Sequence, residues 1–166
     1  MSKTKVPILK KSGNSTRIVF LVVMALLLVS GAMLFNTPHQ TEVFQINFPH
    51  GVALQGEVAN TPEKLLFGLA FRERLRPDGA LLLIFDESGP HTVWTKAFQI
   101  PVDLIWVDES KHIVHLVRDA EPCHEDKCPR FGPPPEHARY IIETNAGFIR
   151  GADVQIGHEL TFALHM

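Results

Sequence analysis

Apolar and polar positions alternate from Val52 to Ala59, with Val52, Leu54, Gly56 and Val58 set against Ala53, Gln55, Glu57 and Ala59. That period of two predicts a half-buried strand, and a shorter run at Val43–Phe48 predicts another before it. The period then lengthens. Thr61 suits a helix N-cap, Pro62 the first helical position and Glu63 the positive end of the helix dipole. Leu65, Leu66, Leu69 and Phe71 make one apolar helical face, closed by Arg72, Glu73, Arg74 and Arg76. Gly68 inside that pattern costs ~1 kcal/mol against alanine, which implies a close backbone approach there. Pro77-Asp78-Gly79 is a turn, and Ala80–Phe85 is a continuous apolar run expected to be a strand buried on both faces.

Beyond a loop at Asp86–Pro90, two β-branched and aromatic runs, 93–100 and 101–108, meet at Gln99-Ile100-Pro101 and read as two strands. Pro101 fits the first residue of the second, where no ladder donor is needed. Lys111–Asp119 predicts a further strand after a tight turn at Glu109-Ser110. Ala120–His137 is a long proline-rich loop, and Ala138–Thr144 is a strand. Residues 145–151 make a turn or a single helical turn, and Val154–Ala163 a closing strand. The body is therefore mainly β (α+β), a single domain over 51–166.

The N-terminus differs in kind. Ile18–Phe35 carries no charge, and eighteen residues at ~1.5 Å each span ~27 Å, close to a bilayer core. Lys3, Lys5, Lys10, Lys11 and Arg17 precede it with no acidic residue. This bias predicts a basic cytoplasmic segment over 1–17 and a body across the membrane, in the periplasm or outside the cell. Residues 18–35 are read as a transmembrane anchor or a signal segment, cut near Ser30-Gly31-Ala32 in the latter case and leaving the body secreted. Residues 36–50 form the linker and first strand.

Charge narrows the partners. Net charge is −2, but removing residues 1–35 leaves eleven basic against eighteen acidic residues, a balance that argues against nucleic acid. Cys123 and Cys128 are the only cysteines. In an exported body a disulfide is the first reading. A metal site with His124 and a redox pair are the alternatives, weakened by the lack of a second ligand pair and of Cys-x-x-Cys spacing. The nine histidines form no His-x-His or His-x-x-x-His motif, so no metal or other cofactor is expected.

The candidate chemistry centres on Lys96 and Asp103, set among Trp94, Phe98, Trp106 and several aliphatics. Charges enter such surroundings when paired or when they bind something. A Lys96–Asp103 pair or a snorkelling lysine is one reading, and a ligand or catalytic site the other. Glu143, at the end of an apolar strand, needs a partner in Arg72 or Lys96.

Thr61-Pro62-Glu63, Gly68-Leu69-Ala70-Phe71-Arg72, Asp78-Gly79-Ala80-Leu81, Trp94-Thr95-Lys96, Ile100-Pro101-Val102-Asp103 and Glu143-Thr144-Asn145-Ala146-Gly147 follow in the order of the domain of unknown function 192 family, which residues 50–164 resemble. The resemblance implies a compact, mostly β domain with a barrel-like mixed sheet and one or two short helices, and no established activity. Arg72, Lys96, Asp103 and Glu143 match the family pattern. Ala70, Ala80 and Thr95 stand where the family usually has methionine, and Ala97-Phe98 where it has Asn-Thr. Three functions follow as expectations. One is a module binding a small polar or anionic ligand through Arg72, Lys96, Asp103, Glu143 and Trp94. Another is a hydrolase or lyase with Lys96 or Glu143 as general base. The last is a structural or protein-interaction domain with a buried charge network.

Overall fold

The computed structural model describes residues 13–34 and 43–163. Of the expected basic segment over 1–17, residues 1–12 lie outside the described residues, as do residue 35 of the 18–35 segment and residues 36–42 of the expected linker and first strand over 36–50. The chain divides into two units, Met1–Gln40 and Thr41–Met166. In the first, α1 covers Gly13–Leu34, and its described side chains, Arg17–Leu27, are exposed. Among the described residues no helix is long and apolar enough to cross a membrane.

The second unit is built on six strands: β1 (Val43–Asn47), β2 (Ala53–Ala59), β3 (Gly79–Gly89), β4 (Val102–Val107), β5 (Ile113–Ala120) and β6 (Ala138–Asn145). Their order is β1-β2-β3-β6-β4-β5. Only β2 and β3 run parallel; the other neighbours are antiparallel. The sheet is open, with β1 and β5 at its edges, so the barrel-like closure suggested by the family resemblance is not found. The crossover between β2 and β3 carries α2 (Pro62–Phe67), as a parallel pair needs a long connection. A short α3 follows β6 at Phe148–Gly151.

Each central strand is buried on both faces, which explains its unbroken apolar runs. Leu82, Ile105, Val107 and Ile142 pack on one face with Ile149, Val154, Leu160 and Phe162. Leu81, Leu83, Leu104, Trp106 and Ile141 pack on the other with Leu69, Val93 and Phe98. The expected closing strand at Val154–Ala163 is instead an extended cover, touching the sheet through isolated bridges Asn47–Thr161 and His112–Glu159. The run 93–100 is also not a strand. It bridges singly to Phe131 and Cys123 and turns at Ala97, whose φ is 61°. Its apolar residues reflect its role as a lid on the second face.

The two-residue period assigns the carboxylates to opposite faces. Asp103 pairs in register with Thr144, and Glu143 with Leu104, so Asp103 and Glu143 lie back to back across the sheet. Asp103 is fully buried. It accepts a hydrogen bond from the Asp119 amide at 2.8 Å and another from Ile149 at 2.7 Å, tying β5 and α3 to β4. The expected Lys96–Asp103 pair is therefore absent.

Asp103→Ala leaves two donors without their acceptor and should lower unfolding stability by about 2–4 kcal/mol in urea denaturation. Asp103→Asn, which keeps one acceptor oxygen, should cost less. A change below ~0.5 kcal/mol for Asp103→Ala would show that the anchoring is unimportant.

Candidate functional site

On the second face, α2 begins as its sequence requires: the Lys64 amide bonds Thr61 Oγ1 at 3.4 Å, with Pro62 in the first turn. It stops at Phe67 rather than running on to Arg72. Gly68 takes φ 52° and ψ −129°, which an L side chain resists. A Cβ there would lie 2.7 Å from Glu143 Oε2 and 2.8 Å from Oε1. The close approach implied by Gly68 is thus that of a carboxyl group. Immediately after it, the Leu69 amide donates to Glu143 Oε2 at 2.9 Å.

Glu143 sits on β6 between Leu81 of β3 and Leu104 of β4, and only 1% of its surface is exposed. Burial pushes its pKa up to about 8, against the opposing pull of the Leu69 N–H and of the Arg72 charge. At neutral pH the group is mostly a protonated acid, able to donate as well as accept. Arg72 does not neutralise it by contact. Its guanidinium is bound by both nitrogens to Glu57, at 2.7 Å each. That pair holds Glu57 below the usual carboxylate range, and Arg72 reaches Glu143 only as a nearby charge.

Glu143 lines a cleft of about 60 Å³, together with Leu65–Gly68, Thr92–Trp94 and Arg130. This is room for a few waters or one small polar group. No side-chain oxygen or nitrogen shut off from solvent among the described residues lacks a hydrogen-bond partner, and the bond to Glu143 uses Oε2. The residual exposure of Glu143 therefore lies at Oε1, facing the cleft. At the rim, Trp94 Nε1 donates to the Leu66 carbonyl at 3.2 Å. Arg130 lies 4.8 Å from the Trp94 ring centre and donates to Thr92 Oγ1 at 3.3 Å.

Arg130 is delivered by the 120–137 loop. Cys123 and Cys128 are joined in a disulfide there, and no free cysteine remains among the described residues. Cys123 is stitched to the lid segment: its amide donates to Thr95 O, and its carbonyl accepts from the Ala97 amide, both at 3.0 Å.

Of the residues expected to form one site, Glu143 and Trp94 meet at the cleft and Arg72 acts on Glu143 from nearby. Asp103 is on the other face. Lys96 is exposed, with Nζ 5.7 Å from the Trp94 ring and 3.4 Å from the Asp126 carbonyl. It is not set in apolar surroundings, because the segment carrying it turns outward rather than forming a strand. Gly68, Leu69, Thr92, Arg130 and Glu57 join the picture from the structure. Gly68 alone left a signal in the sequence, as a glycine inside a helical pattern.

The chain matches the DUF192 family, described as an uncharacterized ACR, over residues 45–162, and belongs to it. None of the curated proteins matches the sequence. Among solved structures it is similar to a "putative transcription regulator" from Sinorhizobium meliloti 1021, with 24% identity, TM-score 0.66, and 76% of this chain and 98% of that one covered. It is also similar to a protein of unknown function from Novosphingobium aromaticivorans DSM 12444, with 18% identity, TM-score 0.64, and 75% and 89% covered. At these identities the likeness is one of fold.

A carboxyl whose pKa rises from 4.5 to about 8 on folding binds more protons folded than unfolded between those values. Stability from this group is thus complete below pH 4.5 and falls as pH rises to about 8. Wild type should lose about 4–5 kcal/mol over that window that Glu143→Gln does not lose. Parallel pH profiles of the two proteins would contradict the protonated state.

Proposed function

We propose that this member of the DUF192 family is a binding module that receives a small polar or anionic group in the cleft over Glu143. The observation supporting it most strongly is a buried carboxyl with one oxygen fixed by Leu69 and the other turned to an open cleft. A protonated Oε1 would donate to a ligand oxygen, and Arg130 would supply positive charge at the rim. Trp94, held by Leu66, would form the apolar wall. Arg72 would act at a distance, through its charge on Glu143. Neither Asp103 nor Lys96 enters this reading.

Acid–base catalysis by Glu143 is the second reading, favoured by a pKa of about 8, near the pH at which such a group transfers protons most effectively. It serves a hydrolase or lyase reaction only if a substrate places its reacting atom beside Oε1. Lys96 is not retained as the base, since its side chain is exposed and does not line the cleft.

We also infer that residues 18–35 tether the body to a membrane and that the body faces an oxidising compartment. Support comes from the uncharged run preceded by five basic residues and from the Cys123–Cys128 bridge.

The test uses the full chain and follows the Trp94 indole N–H by NMR during titration with acetate, acetamide and inorganic phosphate. At least one probe should shift that signal with saturation, and Glu143→Leu should abolish the effect. Glu143→Gln, which still donates toward the cleft, should keep binding under the module reading; a catalytic role would instead show as turnover lost in Glu143→Gln. No saturable shift with any of the three probes would overturn the proposal.

A further inference from the structure

Among its described residues the body exposes few large apolar side chains, and most of them are gathered in one place. Among its described residues the exposed large hydrophobic side chains are Leu66, Phe67, Phe71 and Ile156, at 54%, 50%, 67% and 63%. Leu66 and Phe67 line the Glu143 cleft, and Phe71 extends the patch, its ring 6.1 Å from that of Phe67. Two of the four therefore line a polar cleft, and a third adjoins them through Phe67. Phe71 is kept outward by its backbone. Its φ is 64°, an unusual value for a bulky aromatic residue, and its amide bonds the Ala97 carbonyl at 2.9 Å. Concentrated exposure of this kind marks an interaction site rather than scattered surface residues.

The polar groups of the cleft favour one occupant. Its main-chain groups are largely satisfied within the chain. Gly68 N bonds Lys64 O, and Val93 and Phe131 exchange both of their bonds. The Leu66 carbonyl accepts from Trp94. An extended polypeptide would find few free backbone partners here. What remains is a carboxyl oxygen of Glu143, the Thr92 hydroxyl and the Arg130 guanidinium, a set matched by an anionic end group of a few atoms. From the size of the cleft, the positive rim and the apolar mouth, we infer that the ligand is a free aliphatic carboxylate. Its head enters between Glu143 and Arg130, and its chain lies over Leu66, Phe67 and Phe71. This inference rests on the binding-module reading above and narrows its ligand class.

The test compares acetate, hexanoate, octanoate and octyltrimethylammonium on the full chain in lipid nanodiscs, again through the Trp94 indole signal. Wild type and variants share the same lipid, so partitioning into the disc cancels between them, and each affinity is referred to the free ligand concentration so that chain lengths compare. Carboxylate affinity should rise about two- to fourfold per added methylene, as expected for partial to full burial of each CH₂. Arg130→Gln should weaken octanoate at least tenfold. Phe67→Ser and Phe71→Asn, both at exposed positions and the latter suited to positive φ, should flatten the chain-length dependence, weakening octanoate by a larger factor than acetate. Octanoate binding no tighter than acetate would overturn this inference while leaving the binding module standing. So would binding of acetamide or phosphate without any carboxylate. Equal binding of octyltrimethylammonium would refute recognition of the anionic head. Failure of every polar probe would overturn both proposals together.

Discussion

The hydrogen bond from the Leu69 amide to Glu143, made across a glycine with no Cβ, fixes the geometry of the whole second face. It ends α2 after six residues and seats the β2–β3 crossover on β6. It also holds an acid between two leucines, where its charge is costly. An isolated carboxylate in such a place is strongly disfavoured, and protonation is the usual escape. The fold therefore keeps a donor and acceptor at the base of a cleft, where an apolar side chain would pack more readily. Keeping a polar group under an opening is the physical reason to regard the cleft as a site.

The opposite face shows the contrast. Asp103 is equally buried, yet both of its oxygens are taken by backbone amides of β5 and α3. It does not line the cleft over Glu143. Two buried carboxyl groups one residue apart in register thus have different work: one joins elements, and the other waits beside open space. Sheet parity separates them, because neighbouring residues on a strand point to opposite faces.

Most elements were readable from the chain, but the separation of Asp103 from Glu143 was not, because it depends on the pairing register of β4 with β6. β2, β3, β5 and β6 follow from their apolar runs, and the start of α2 from Thr61 and Pro62. The membership of residues 45–162 in the family was carried by motifs such as Ile100-Pro101-Val102-Asp103. Two stretches misled. Residues 93–100 and 154–163 have strand-like composition because each covers a face of the sheet, and burial selects the same residues in a cover as in a strand. The site was harder to read. Gly68 pointed to a close approach but not to its partner, which lies seventy-five positions away. Arg130 sits in a proline-rich loop whose path depends on the Cys123–Cys128 bridge and on contacts with the lid, neither of which leaves a periodic trace. Glu57 could not be matched to Arg72 because that pair depends on how the crossover returns over β2.

The central claim concerns the protonation of one side chain, and carbon-13 NMR of the labelled Glu143 carboxyl in the full chain measures it directly. Titrated from acid to alkaline pH and assigned by comparison with Glu143→Gln, the resonance should move with a midpoint near the value of about 8 set by burial. A midpoint near the ordinary 4.5 would mean that the group is a solvated carboxylate, and the account of the cleft would fail with it.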